Sequence, residues 1–525
     1  MNKKIMNGLA AIAMISMTAC SSFLDENPKS NLSSEGYLVS EAQAKSNVNY
    51  LYRTGAPTFD TGNGAYYGTN GMLGGYLTGY FKSEYAGQEQ IVGESQTLSR
   101  TVSNCNSYME SLWQSAYRAI NVANYSIKYT SSKYMDESVA NQYIAEAKFF
   151  RAYNYFYLVK IFGDVPFYTE PFESATGDLM LSRTDKKTIY AQVVQDLKDA
   201  ASVLPNKAFY DNSLRLTSNV ANALLAEVYL QMSGYPINEN HYADAAAAAK
   251  AVISSGKHSL TTNSDLGANS AYNKLRTIDG LPEVIYAYEY AVGISNATYR
   301  CAWAFPNAFS AYFKVTICVN VYGLVNGIEN MYNDSEDLRH QPNQFFHWNY
   351  VFPGETTAKS LGATCNWYFY DADCLLNTAK GGKDANIIRY PEMLLIAAEG
   401  IAQSSGVTSE AVNYLAQVKA RASMTGKTAS DYSASLSALS KDAFIKEIWA
   451  ERLREFPLEF KIWDDCVRTQ MFPTFSADNK GKVTFVNLIG AKNGNGYTIK
   501  ESDMYFPLPY SEIQRDPNLT QNTGY

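Results

Sequence analysis

The amino-acid sequence predicts a mainly α-helical protein, in which tetratricopeptide-like helix pairs form a scaffold that a large, irregular, loop-rich insertion interrupts. Apolar residues recur at helical spacing through 105–256 and 386–460, and small residues alternate with tyrosines where helices would pack closely. Helical periodicity is lost over 257–385, which marks the insertion. The 525 residues exceed the usual limit of about 250–300 for a single core, which favours an extended or divided fold.

The N-terminus has the pattern of a removable signal peptide over residues 1–19. Lys3 and Lys4 precede an apolar run that is shorter than the roughly 20 residues needed to span a bilayer. The run ends in Met17-Thr18-Ala19-Cys20, which resembles the bacterial lipobox. We therefore expect Cys20 to be a lipid anchor and residues 20–33 to form a lipidated leader. An ordinary secretory signal with an unmodified thiol is the alternative.

Composition narrows the classes of function. Cleavage removes two lysines and no acidic residue, so the formal net charge moves from -7 to about -9, which excludes a basic nucleic-acid surface. The chain has 41 tyrosines, whereas only 18% of its residues are charged. Tyrosine combines an apolar ring face with a polar hydroxyl, which suits a ligand-binding surface that is partly apolar and partly solvated.

The predicted scaffold covers 34–54, 105–256 and 386–460. A first helix is capped by Ser34 and ends before Gly55. The helical period returns from Tyr108 and again from Val139 to Val159, and these two helices should form an antiparallel pair. Further helices are predicted over residues 188–202, 218–232, 242–255, 387–403, 409–422 and 441–455.

Two regions lack the helical pattern. Residues 55–104 interleave glycines with tyrosines, which is typical of irregular loop. Residues 257–385 are rich in aromatic side chains, and we expect loops and short helices there, with a small sheet as a further element. Because binding residues concentrate on loops held by a rigid scaffold, both regions are candidate ligand-binding regions.

The six cysteines that follow Cys20 do not have metal-site spacing. An exported protein can form disulfides. Pairing Cys365 with Cys374, or Cys301 with Cys318, would close a small loop, and the sequence does not choose between these pairs and free thiols.

No catalytic constellation is recognisable. The four histidines lack metal-ligand spacing. Glu451 and Glu455 alternate with arginines on one predicted helix, a pattern that predicts salt bridges on a solvated face. Asp371 and Asp373 lack the distal glutamate of a calcium loop. We expect no enzyme activity, metal or cofactor.

Several segments resemble the SusD/RagB family of outer-membrane nutrient-binding lipoproteins. The most specific match runs from Ala145 to Pro166, where an alanine- and arginine-containing helix leads into Phe-Gly-Asp-Val-Pro. Further matching segments are Asp337–Arg339, Ile388–Glu399, Glu451–Phe456, Trp463–Asp464, Phe506–Pro509 and Asn518–Asn522. Pro391 and Thr523 depart from the family pattern, and Pro391 is tolerable in the first turn of a helix.

The resemblance covers the chain from the lipobox to Tyr525. It implies a SusD-like domain over residues 34–525 with four tetratricopeptide-like helix pairs. It also implies that the protein faces the cell exterior on its lipid anchor, captures an oligosaccharide and delivers it to a SusC-like TonB-dependent outer-membrane channel. The alternatives are a RagB-like peptide-binding uptake lipoprotein, a surface glycosidase and a purely structural adaptor.

No family motif specifies the ligand contacts residue by residue. Sugar binding needs aromatic faces beside hydrogen-bonding side chains, and two groups of residues in the loop-rich regions combine them. The predicted ligand-binding residues are Tyr80, Lys82, Glu84 and Tyr85 in the first region and Tyr299, Trp303 and Tyr312 in the second, with Tyr66 and Trp348 as further candidates.

Overall fold

In a computed structural model of the protein, the described residues are 38–54, 70–84, 90–173, 180–293 and 298–525. The predicted signal peptide, lipid anchor and leader lie outside these ranges. The α-helices are α1 (Glu41–Thr54), α2 (Asn70–Leu77), α3 (Gln90–Thr97), α4 (Val102–Tyr129), α5 (Glu137–Phe162), α6 (Lys186–Val203), α7 (Ser218–Ser233), α8 (Tyr242–Ser254), α9 (Ala271–Thr277), α10 (Tyr390–Ser405), α11 (Ser409–Arg421), α12 (Ala429–Ser437), α13 (Lys441–Glu455), α14 (Ile462–Thr469) and α15 (Tyr510–Arg515). The strands are β1 (Phe81–Ser83), β2 (Val165–Pro166), β3 (Arg183–Thr184), β4 (Val284–Tyr288), β5 (Val321–Leu324), β6 (Phe346–Tyr350), β7 (Lys359–Asn366), β8 (Ala385–Arg389), β9 (Met471–Thr474) and β10 (Thr484–Asn487). Within these ranges no helix combines the length and the apolar character needed to cross a membrane.

Consecutive helices pack side by side in one continuous series. Helices α4 to α8 each contact the next, α8 contacts α10 across the insertion, and α10 contacts both α11 and α13. Gly400 permits the close approach of α10 to α8, because a Cβ there would lie 2.5 Å from the carbonyl oxygen of Tyr242. The mainly α, tetratricopeptide-like fold predicted from the sequence is confirmed.

Local caps explain why several helix boundaries agree with the sequence. The Thr217 hydroxyl accepts the Val220 N–H at 3.3 Å, and the Ser440 hydroxyl accepts the Ala443 N–H at 3.3 Å. Each cap satisfies a backbone donor that the first turn leaves unpaired, which stabilises a helix by about 1 kcal/mol. Pro391 lies in the first turn of α10, as predicted.

Other boundaries differ from the prediction because tertiary pairing overrides local periodicity. Residues 385–389 form β8, which pairs with β4, so the helix predicted from residue 387 begins at Tyr390. The first helix begins at Glu41, and its predicted cap Ser34 lies outside the described residues.

The region predicted as loop over 55–104 contains α2, β1, α3 and the start of α4. Gly74 and Gly75 of α2 are packing residues: a Cβ at Gly74 would lie 2.7 Å from the Trp463 Cβ, and a Cβ at Gly75 would lie 1.6 Å from the Tyr322 hydroxyl. The prediction of irregular loop is therefore wrong for residues 70–77 and 90–97, because small residues also occur where a helix packs closely, whereas 55–69 and 85–89 lie outside the described residues.

The insertion contains a four-stranded sheet in the order β1-β5-β7-β6, which confirms the expected small sheet. Strand β1, from the first loop-rich region, pairs antiparallel with β5, with Phe81 opposite Leu324 and Lys82 opposite Gly323. The sheet thus joins the two loop-rich regions.

A small second core lies inside the insertion. It consists of Cys301, Ala302, Ala304, Phe305, Val315, Cys318, Phe352, Leu361, Cys365, Cys374 and Leu375. Within it Cys301 forms a disulfide with Cys374, 73 residues away, whereas Cys318 and Cys365 are buried free thiols. Both pairings considered from the sequence are wrong, because folding brings together cysteines that are distant along the chain.

Candidate ligand-binding site

Glu84 ties the first loop-rich region to the second. Its Oε2 atom accepts the backbone N–H groups of Asn307 and Asn320, each at 2.9 Å. Its own N–H donates to the Asn320 carbonyl at 3.1 Å. The predicted residues Lys82 and Glu84 are both exposed, on and just beyond the edge strand of the insertion sheet.

Two predicted aromatic contacts are core residues in the structure. The Tyr80 side chain is 6% exposed, its hydroxyl donates to the Pro473 carbonyl at 2.8 Å, and its ring stacks on Phe472. Burial raises the pKa of Tyr80. Trp303 has no exposed surface and packs edge-on against Phe369 at 5.1 Å. Neither ring offers a free face to a ligand here.

The other predicted residues have different settings. Tyr299 is 50% exposed, and Tyr312 and Trp348 are half-buried. Tyr85 and Tyr66 lie outside the residues that the structure describes.

Five half-buried aromatic residues form a surface over the second core. We call this set the aromatic patch, and it consists of Phe309, Tyr312, Phe313, Tyr350 and Tyr370. Buried Phe352 supports it, with ring centroids 4.6 Å from Phe309 and 4.4 Å from Tyr312. The hydroxyls of Tyr350 and Tyr370 lie 3.0 Å apart. Of these five residues, only Tyr312 is among the ligand contacts predicted from the sequence. The spacing of residues 309, 312 and 313 indicates that their side chains share one face of a helical turn.

Polar groups surround Tyr312. Its hydroxyl donates to Glu355 Oε1 at 3.0 Å and accepts from Lys359 Nζ at 2.6 Å. Lys359 also donates to the same Glu355 oxygen at 2.7 Å, and this hydrogen bond lowers the pKa of Glu355 and raises that of Lys359. The patch therefore places aromatic surface beside a fixed hydrogen-bonding triad, an arrangement that suits a ligand with apolar ring faces and hydroxyl groups.

The acidic residues of α13 have a structural role. Arg389 contacts three buried glutamates, Glu283, Glu455 and Glu459, at 2.6–2.8 Å. Arg339 contacts Glu451 at 2.7 Å, and Glu451 and Glu455 have no exposed surface. The expectation of a solvated salt-bridged face is wrong. The salt bridges exist, but they are buried where α13 packs against the insertion and the helices around it.

Among the described residues, the histidines do not come together in a metal site. His347 is buried with Nε2 2.6 Å from the Ala304 carbonyl oxygen, and burial lowers its pKa to about 4. His241 and His340 pair with Asp244 and Asp334. No group of three or more His, Cys, Asp or Glu residues in the described ranges could hold a metal ion.

Comparisons with known proteins agree with this architecture. The model of the family described as "SusD family" matches residues 340–525, and that of the family described as "Starch-binding associating with outer membrane" matches residues 22–230. SusD-like protein P2 of Formosa agariphila is 24% identical over 98% of this chain and 98% of its own.

Solved structures show the same fold along nearly the whole chain. A SusD superfamily protein from Parabacteroides distasonis has a TM-score of 0.77 and 27% identity, covering 92% of this chain and 98% of its own. Surface glycan-binding protein A from Bacteroides thetaiotaomicron has a TM-score of 0.70 and 18% identity, covering 93% and 100% of the two chains. The helical scaffold, the family matches and these relatives together place the chain in the SusD/RagB family.

Proposed function

We propose that this protein captures an oligosaccharide at the aromatic patch and performs no chemistry on it. Family membership supports the class of function, and the ligand class is supported by the family description "Starch-binding associating with outer membrane" and by the structural relative named surface glycan-binding protein A. The observation that carries the proposal is the setting of Tyr312, where an aromatic face adjoins the hydrogen-bonding groups of Glu355 and Lys359.

The physical basis is the mixed surface of a sugar. Its C–H faces bury apolar area against an aromatic ring, whereas its hydroxyls need donors and acceptors, since an unpaired buried polar group costs about 1–3 kcal/mol. Exposed Tyr299 and half-buried Tyr312 would supply ring faces, and Glu355, Lys359, Lys82 and Glu84 would supply polar contacts. Tyr85 stays a predicted contact.

We propose further that lipidated Cys20 anchors the protein in the outer membrane, facing outward, with a SusC-like TonB-dependent channel as its partner. The family description "associating with outer membrane" supports the location. The lipobox-like Met17-Thr18-Ala19-Cys20 supports the anchor, because multiple acyl chains hold a protein stably on a bilayer. Metabolic labelling with a palmitate analogue should label the wild type and leave Cys20→Ala unlabelled.

The main alternative is a RagB-like protein that captures peptides. A peptide would use the same aromatic surface together with backbone-directed polar groups, so array binding decides between the two ligands. A glycosidase would release products from a glycan on incubation with purified protein. A purely structural adaptor would bind neither class of ligand and would still associate with the channel.

The decisive experiment is a glycan and peptide array with residues 21–525, followed by calorimetry on each hit. We expect saturable binding of an intact oligosaccharide that Tyr299→Ala and Tyr312→Ala weaken. Tyr510→Ala is the matched control, since Tyr510 is 52% exposed and lies on α15, outside the insertion. Binding of peptides alone, or equal affinity in all three variants, would contradict the proposed ligand or the proposed site.

A further inference from the structure

Arg276 is a largely buried cation whose hydrogen-bond acceptors are neutral. Its guanidinium donates to Asn273 Oδ1 at 3.0 and 3.2 Å and to the Tyr370 carbonyl at 2.7 Å. No carboxylate among the described residues lies within 4.0 Å of it, whereas the more deeply buried Arg339, Arg389 and Arg421 each contact at least two. A buried charge is normally paired, because desolvation disfavours it.

Two aromatic rings stabilise the buried guanidinium of Arg276 in part. The guanidinium lies over the rings of Trp367 and Tyr370, at 5.2 and 5.3 Å from their centroids. These contacts offset part of the desolvation cost but do not neutralise the charge. Desolvation still lowers the pKa of Arg276 to about 10. A negative charge delivered from outside the protein would restore the balance.

A cavity of about 40 Å³ adjoins Arg276, with Arg300 and Lys383 also on its wall. Because one water molecule needs roughly 10–15 Å³ of such space, the cavity admits a small group rather than a sugar ring. Tyr370 of the aromatic patch also lines this cavity. A ligand bound at the aromatic patch would therefore lie next to a recess of the right size for one charged substituent.

The other charged groups on the wall already have partners. Lys383 contacts Asp279 at 2.6 Å, and Glu459 is held by Arg389. Asp384 accepts from the Tyr210 hydroxyl at 2.8 Å, and Asp371 accepts the Cys374 N–H at 3.0 Å. Asp371 also favours the charged form of Arg276 electrostatically, without forming a salt bridge to it. Burial and the nearby Asp279 raise the pKa of Asp384 to about 6. Asp384 therefore loses its negative charge, which repels an incoming anion, only when the pH falls below about 6.

We propose that Arg276, with Arg300 beside it, binds a carboxylate or sulfate group of the ligand, so that the captured oligosaccharide is acidic. This inference rests on the proposed glycan-binding function and names the chemical class of its ligand. Arginine suits the role, since its planar fork of N–H donors matches carboxylate and sulfate oxygens.

Matched ligand pairs test the inference by calorimetry. The probes are a galacturonic-acid trisaccharide and its methyl ester, and a sulfated galactose trisaccharide and its desulfated counterpart. We expect at least one acidic member to bind about tenfold or more tightly than its neutral partner. Arg276→Gln should abolish that difference and Arg276→Lys should retain part of it. Arg118→Gln, at an exposed arginine on α4, should leave it unchanged.

A second measurement does not depend on how the variants fold. Crystals of the wild-type protein soaked in selenate should show an anomalous peak at Arg276. An empty cavity, together with equal affinity for both members of each pair, overturns the acidic-ligand inference while leaving neutral glycan capture intact. If no glycan binds at all, the proposed function fails, and the selenate peak alone decides whether the cavity is an anion site.

Discussion

The Glu84 carboxylate accepts the backbone N–H of Asn320 at 2.9 Å, which joins the end of strand β1 to the chain entering its partner strand β5. The same oxygen accepts the Asn307 N–H, so one side chain orders two segments of the insertion. Residue 307 begins the stretch that carries Phe309, Tyr312 and Phe313 of the aromatic patch.

Glu84→Ala should therefore loosen residues 307–320. Two hydrogen bonds to a charged acceptor are lost, which we expect to cost about 1–2 kcal/mol at this exposed position. Hydrogen–deuterium exchange should become faster in peptides that cover 307–320. Lys82→Ala, on the same strand, serves as the control, and equal exchange in the two variants would argue against the tether.

Arg389→Ala should be among the most damaging single substitutions. It leaves Glu283, Glu455 and Glu459 buried without this partner, and breaking such a network costs about 3–5 kcal/mol. Urea denaturation would measure the loss. Lys446→Ala removes an exposed contact with Asp442 and should cost less than about 1 kcal/mol. A similar small loss at Arg389 would show that its charge is not needed for folding.

His347 should make the protein less stable as the pH falls from about 6.5 to about 4. Its pKa in the folded protein is lowered to about 4 by burial, whereas an unfolded histidine titrates near 6.5. In this interval the unfolded state binds the proton and the folded state does not, so unfolding is favoured by up to about 3 kcal/mol.

His347→Gln removes this proton uptake without removing the polar character of the side chain. The free energy of unfolding, measured by urea denaturation from pH 7 to pH 4, should fall less steeply in the variant. The comparison isolates His347 because all other titrating groups are common to both proteins. If the free energy of unfolding fell equally with pH in both proteins, groups other than His347 would cause the loss of stability in acid.

Trp303→Ala should destabilise the protein rather than remove a ligand contact. Truncating a fully buried tryptophan costs about 3–5 kcal/mol, whereas Tyr299→Ala at a 50% exposed position should change stability by about 0.5 kcal/mol or less. Urea denaturation and calorimetry on the same two variants separate the roles. If the Trp303→Ala protein were stable but no longer bound its glycan, Trp303 would be a ligand contact.

Much of the scaffold could be predicted because its signals are local. Caps such as Thr217 and Ser440 define where helices begin, and the apolar period defines which face is buried. The segments that resemble the SusD/RagB family lie largely on these same elements, so family membership could also be predicted from the sequence.

The candidate site depends on contacts that the sequence does not contain. The Cys301–Cys374 disulfide, the burial of Tyr80 and Trp303, and the hydrogen bond from Arg276 to the Tyr370 carbonyl all depend on residues far apart in the chain. The sequence by itself determined the helical class, the family and the aromatic richness of the insertion, because composition and period follow from neighbouring residues. Only the tertiary structure decided which aromatic rings fill the core and which face solvent, because burial depends on the partners that folding brings from elsewhere.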